Sequence, residues 1–343
     1  MVVCCFNGAE GLRLTLDSLN SQTIRDRLEV IVVDDGSFPR IEEADVMTRG
    51  AILIRHPYNL GLGAARNTGI AACKASIVAF TDDDCRPVPA WAELLLSSYC
   101  QPLVAGAGGP VVGSNQTGFL ARYYRLNEPV RPLEADLGMS TSVIYRFWLY
   151  LKRNVNPVTY AGARDAYSLV GANCSFRRQV LDALDGFDAN IQFGGDDEDL
   201  CLRLRDAFPD HTLRIVPEAL VEHDYDLTMR DAVRRAKAYG VGNVLNYRKH
   251  RNVSPTIFPS PVLWLFALLA STVLRRNRLA VAALPLLMSP RWALSAFRSR
   301  SLEQVSYAYV QIVQEAAHDV GFATGLWRFR VLLNGERDKV QAS

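Results

Sequence analysis

Leu28-Glu29-Val30-Ile31-Val32-Val33-Asp34-Asp35-Gly36-Ser37 is the stretch that decides the fold. A β-branched run stops at two carboxylates and a glycine, the pattern of a buried parallel strand that ends in a turn. Ile77 to Thr81 repeats the arrangement and runs into Asp82-Asp83-Asp84. Two apolar strands thus deliver acids at their C-terminal ends, and in an open α/β sheet that edge is where ligands bind. Helical patterns lie between them: Leu12, Leu16 and Leu19 share one face, as do Ala64, Ala65, Thr68 and Ala72 in the next segment. The order β-α-β-α-β favours a mostly parallel sheet over a sandwich or bundle.

Upstream, Val2-Val3-Cys4-Cys5-Phe6 reads as a strand already begun, without the basic n-region or cleavage site of a secretory signal; a few residues of that strand are expected to precede this start. Downstream, Leu120 to Arg164 turns aromatic and basic (Tyr123, Tyr124, Tyr145, Phe147, Trp148, Tyr150). Order returns at Gly171-Ala172-Asn173, Gly186-Phe187-Asp188 and the cluster Asp196-Asp197-Glu198-Asp199, which opens a helix carrying Leu200, Leu202 and Leu204. The expected division is an α/β domain over 1–225 and a C-terminal helical region over 226–343. In the latter, Ile257 to Leu274 carries no charge, but Pro259 and Pro261 break its first turn and shorten the helix below a membrane span. Arg275, Arg276 and Arg278 follow, then Leu279 to Leu287, Arg291 and Trp292. That mix suits either a helix lying at a bilayer surface or a helical subdomain packed on the core.

Composition excludes little beyond disorder: 49% hydrophobic and 22% charged residues, with a mean hydropathy of +0.02. The net charge of +2 argues against nucleic acid as a partner. Seven cysteines without C-x-x-C spacing read as reduced core residues in a cytosolic protein.

The acids carry the chemistry. Asp34 and Asp35, beside Gly36, can accept hydrogen bonds from a base or ribose; the bland alternative is an Asx turn. Three adjacent carboxylates at Asp82-Asp83-Asp84 repel one another unless a cation neutralises them. Asp82 and Asp84 can offer hard oxygens to Mg²⁺ or Mn²⁺ bridging a diphosphate, the alternative being a solvated loop paired with Arg86. Asn59 to Asn67 reads as a Gly-rich turn opening a helix, with Arg66 as an anion donor. Its Gly61 and Gly63 support a weak dinucleotide reading, that of an NAD-dependent oxidoreductase, because the third glycine of G-x-G-x-x-G is replaced at Arg66. The Asp196 to Asp199 cluster suits a helix N-terminus, yet four acids exceed what capping needs, and one could serve as a general base. His223 could be a metal ligand or a satisfied surface histidine.

Taken together these blocks resemble the inverting family 2 glycosyltransferases of GT-A fold, from residue 1 to about 225. Phe6-Asn7, Val33-Asp34-Asp35-Gly36-Ser37, Asn59 with Ala65-Arg66-Asn67, Phe80-Thr81-Asp82-Asp83-Asp84, Gly171-Ala172-Asn173, Gly186-Phe187-Asp188 and Asp196-Asp197-Glu198-Asp199-Leu200 fall in that family's order. The resemblance implies a Rossmann-like sheet flanked by helices. It implies that Phe6, Asn7, Asp34, Asp35 and Arg66 hold the nucleoside and diphosphate, that Asp83 touches the ribose, and that Asp82 and Asp84 form a D-x-D metal site completed by His223. Asp197 occupies the catalytic-base position, with Asp196 standing where the family usually has Glu. Pro290-Arg291-Trp292 lacks the glutamine of the processive Q-x-x-R-W signature, which implies single addition. The implied partners are a nucleotide-sugar donor and a glycan, lipid-linked or small-molecule acceptor, with the cytoplasmic membrane face as a candidate surface. A non-catalytic nucleotide-sugar-binding protein is the remaining alternative.

Overall fold

The computed structural model describes residues 1–115, 117–127, 140–155, 162–191, 194–225, 228–250, 253–274 and 278–329. Two compact units emerge: Met1–Gly138 with Tyr160–Asp226, and Met139–Thr159 with Leu227–Ser343. In chain order the described elements are β1 (Val2–Cys5), α1 (Ala9–Asn20), β2 (Ile31–Asp34), α2 (Glu43–Met47), β3 (Ile52–Arg55), α3 (Leu62–Ala72), β4 (Ile77–Asp82), β5 (Cys85–Pro87), α4 (Trp91–Ser98), β6 (Val104–Gly108), β7 (Val111–Gly113) and α5 (Phe119–Asn127). After α6 (Val143–Val155), which belongs to the second unit, come β8 (Arg164–Ala166), β9 (Cys174–Arg177), α7 (Arg178–Ala183), α8 (Asp196–Ala207), β10 (Thr212–Ile215) and β11 (Val221–His223).

Eight strands form one sheet in the order β3-β2-β1-β4-β9-β6-β10-β8, and β5-β11-β7 form a small second sheet. β3, β2, β1 and β4 are mutually parallel. Cys5 lies opposite Asp34 and Cys4 opposite Asp82, so both acidic strand ends reach the same edge. The alternation of β1 divides the core. Val2 and Cys4 face one layer with Ile31, Val33, Phe80 and residues of α3 and α8. Val3 and Cys5 face the other with Leu12, Leu16 and Leu19 of α1 and the fully buried Trp91. Each such aliphatic side chain contributes about 1.5–3 kcal/mol relative to exposure, which is why the α1 periodicity is so legible.

Three local expectations change. β2 begins at Ile31 rather than Leu28, and a short α2–β3 excursion adds an edge strand of only four residues. On α3, Ala64, Thr68 and Ala72 are only half-buried, whereas Gly63, Ala65, Arg66, Gly69 and Ile70 point inward. The buried set contains a charge and two glycines, so apolar periodicity misplaced the inner face. The aromatic segment resolves into α5 and α6, with 128–139 and 156–161 outside the described residues. All seven cysteines are free, six of them buried.

The second unit is helical: α6 with α9 (Met229–Lys249), α10 (Pro259–Leu274), α11 (Arg278–Met288), α12 (Pro290–Ser299) and α13 (Glu303–Arg328). α9 and α13 approach so closely that a Cβ on Gly240 would stand 2.0 Å from the His318 carbonyl oxygen. Pro259 starts α10 instead of breaking it, since proline is tolerated in a first turn. Among the described residues no helix is long and apolar enough to cross a membrane. Arg275 and Arg276 lie outside the described residues.

Candidate active site

At the shared strand edge the β1 and β2 loops clasp each other. Asn7 adopts a left-handed φ of 61°; its N–H donates to Ser37 Oγ (2.9 Å) and its Oδ1 accepts from Phe38 N–H (2.8 Å). Phe6 is half exposed beside this clasp. Asp34 is fully buried: Oδ1 accepts from Ser37 N–H (2.9 Å) and Oδ2 from Arg55 Nε (2.9 Å). Asp35 is also buried, accepting from Leu60 N–H and Gly61 N–H (both 2.9 Å) and bonding His56 Nδ1 at 2.7 Å, while His56 Nε2 meets Thr68 Oγ1 at 2.9 Å. The two aspartates therefore hold the loops that frame the edge. The amides of Leu60 and Gly61, where the Gly-rich turn begins, are already bonded to Asp35, which disfavours the Gly61/Gly63 dinucleotide reading.

Asp83 turns inward against Gly8, where a Cβ would stand 2.1 Å from its Oδ2. Burial and the neighbouring Asp84 charge push its carboxyl up to about 7. Asp82 and Asp84 face the other way. Together with Cys85 and His223 they place four ligand atoms within 4.8 Å of one another. His223 Nε2 lies 3.4 Å from Asp84 Oδ1, and its ring stacks on Tyr225 at 4.3 Å. The small sheet builds this grouping, since His223 on β11 stands opposite Cys85 on β5. Arg86 does not neutralise the triple aspartate; its guanidinium pairs with Asp224 (Nη1 to Oδ2, 2.6 Å). Two carboxylates and an imidazole suit a hard divalent cation. Burial holds the Cys85 thiol protonated, so it is the weakest donor of the four.

Arg66 joins the two acidic motifs. It is buried, with Nη1 on Asp196 Oδ2, Nη2 3.4 Å from Asp82 Oδ1, and its guanidinium 5.1 Å above the Phe187 ring. Burial opposes its charge, but Asp196 and Asp82 outweigh this and keep it firmly protonated. A Cβ at Gly171 would sit 2.5 Å from Arg66 Nη2, so a side chain there would displace the guanidinium. Gly171 N–H also donates to Asp197 Oδ2 (2.7 Å), and Glu198 N–H donates to Oδ1 (2.9 Å). Burial, reinforced by Asp196, raises the Asp197 carboxyl to about 6 against the pull of Arg66 and the two amides.

Other motif residues act as clasps. Asn173 accepts from Trp91 Nε1 and donates to the carbonyls of Pro110 and Ala219. Asn67 exchanges two hydrogen bonds with the Phe187 backbone. Asp199 is buried against Arg203 at 2.8 Å. Sequence reasoning missed Cys85, His56 and Arg55. Only the adjacency of Cys85 to the triple aspartate could have suggested it, because the others meet their partners through tertiary contacts alone.

Comparison with known proteins agrees with this architecture. The pre-mycofactocin glycosyltransferase of Mycobacterium tuberculosis is 34% identical over 246 residues, covering 70% of this chain and 45% of that protein. The putative glycosyltransferase EpsH of Bacillus subtilis is 35% identical over 111 residues, covering 32% of this chain and 30% of its own. The chain thus spans less than half the length of either relative. In fold it is similar to the mannosyltransferase PcManGT from Pyrobaculum calidifontis, solved with GDP-Man and Mn²⁺ (TM-score 0.54, 19% identity, covering 95% of this chain and 86% of that one). The sheet with its flanking helices is the GT-A fold. The family model for glycosyl transferase family 2 matches residues 1–184, more than half of the sequence, and the chain belongs to that family.

Proposed function

We propose that this chain transfers a sugar from a nucleotide-diphosphate-sugar donor to an acceptor hydroxyl with inversion, using a divalent cation at Asp82, Asp84 and His223 and Asp197 as general base. The observation that carries the reading is the Arg66 bridge. It ties Asp82 of the D-x-D pair to Asp196, next to Asp197, so the donor side and the base adjoin one ion-pair network. Asp197 is the better base of the acidic pair. Asp196 is committed to Arg66, whereas Asp197 is oriented by two amides and is raised by burial to about 6, so that it is an available base at neutral pH. Mg²⁺ or Mn²⁺ bound there would neutralise charge developing on the departing diphosphate. Mn²⁺ and GDP-Man accompany PcManGT, a protein of similar fold, which supports that cofactor. Asp197 takes the acceptor proton as the hydroxyl attacks the anomeric carbon, and no covalent intermediate is required. Phe6 offers an exposed ring to the nucleoside, while Asn7, Asp34 and Asp35 hold the loops around it. The acceptor is a glycan, lipid-linked or small-molecule hydroxyl, met in the cytoplasm at the inner face of the cell membrane.

Calorimetric titration of UDP, GDP and dTDP, with and without Mn²⁺, into the wild type and Asp84→Ala tests this. Metal-dependent binding of one nucleotide, lost in the variant, is the expected result; metal-independent binding or none at all refutes the metal site.

A further inference from the structure

The net charge of +2 hides an asymmetry. The helical unit carries 20 basic and 6 acidic residues, a net of +14, while the α/β unit carries 18 basic and 30 acidic, a net of −12. Charge segregated on this scale points to an anionic surface as partner of the helical unit. In the same unit α10 has no charged residue over Pro259–Leu274. Its inward stripe is narrow: Ser260 is buried, and Trp264 Nε1 donates to the Val281 carbonyl (3.1 Å). Val262, Leu263, Leu265, Phe266, Leu268 and Leu269 are instead between 38% and 66% exposed, an apolar arc over more than half of the helix.

We infer that the helical unit docks on an anionic lipid surface through the outward face of α10. At about 1.5 Å per residue its 16 residues reach only about 24 Å, short of the roughly 30 Å hydrocarbon core. The helix therefore lies in the interface plane with its apolar arc in the acyl boundary. The net charge of +14 on the unit supplies the attraction to anionic headgroups. A second copy docked through the same helical face is a poorer occupant, because it would bring +14 against +14. Nucleic acid would leave Phe266 and its neighbours uncovered. The inference gives a surface to the membrane placement proposed above; vesicle binding tests it alone, whereas nucleotide binding by Asp84→Ala tests the transferase reading.

The experiment is sedimentation of the full chain with phosphatidylcholine vesicles, alone or with about 30% phosphatidylglycerol, as salt is raised. Binding is expected only to the anionic vesicles, weakening with salt and falling at least about tenfold in Phe266→Glu/Leu269→Glu. Asp84→Ala should bind as the wild type does, and unchanged circular dichroism would show that the double variant is folded. Absence of binding to anionic vesicles, equal binding by the double variant, or binding of duplex DNA without binding of vesicles would each overturn the inference. So would conversion of a dimer to a monomer by the double variant with no effect on lipid.

Discussion

Replacing Arg66 with methionine removes a charge from the protein interior while nearly keeping its volume. Arg66 and Asp196 are each only 3% exposed in their side chains, so solvent screening gives little relief. Breaking a buried pair by removing one partner costs about 3–5 kcal/mol, because the remaining charge is stranded. The second contact adds less: Asp82 is 29% exposed at 3.4 Å, which places it below about 1 kcal/mol. Arg66→Met should therefore lower stability by roughly 3–5 kcal/mol, a large share of the 5–15 kcal/mol typical of folded domains. Most of that penalty belongs to the stranded carboxylate. Adding Asp196→Asn should accordingly return at least about 2 kcal/mol. Urea unfolding followed by hydrogen exchange in β1 and β4 reads the transition of the α/β unit. A loss under about 1 kcal/mol, or a double variant no more stable than Arg66→Met, would refute the view that Arg66 neutralises the acidic network.

Asp197→Asn should reduce kcat by about 10²–10⁴-fold with nucleotide affinity preserved; equal losses in binding and turnover would move Asp197 out of the base role. Because burial raises that carboxyl to about 6, the base is protonated at lower pH. Wild-type kcat/KM should rise through about pH 6 and then level off, and a flat profile from pH 5 to 8 would count against the assignment. In the helical unit, burial raises Glu315 to about 7, against the hydrogen bonds from Gln311 and Tyr150. Its folded pKa lies above the unfolded value, so the folded state holds the extra proton. The contribution of this carboxyl to stability is therefore greatest below about pH 4.5 and declines as pH rises towards 7, by an order of 2–3 kcal/mol. Thermal melts of Glu315→Gln should lose this slope and exceed the wild type at pH 8, and a wild type more stable at pH 8 than at pH 5 would contradict it.

Much of this protein was legible in its sequence because parallel strands and amphipathic helices announce themselves through hydrophobic periodicity. β1, β4, α1 and the acidic strand ends follow from apolar runs that stop at carboxylates, and neighbouring parallel strands in register bring those ends to one edge. The family blocks added the proposed metal and base positions. Tertiary structure alone decided what each block does. Asp34 and Asp35 look like ligand-binding acids in sequence, and in the structure their oxygens also accept from Ser37, Arg55, Leu60 and Gly61, partners up to 26 residues away. Cys85 joins His223 only because β5 pairs with β11. Gly171 shows its purpose only against a guanidinium more than a hundred residues earlier in the chain. Periodicity records which residues leave water; which charges meet after they leave is set by long-range pairing, and no local pattern encodes it.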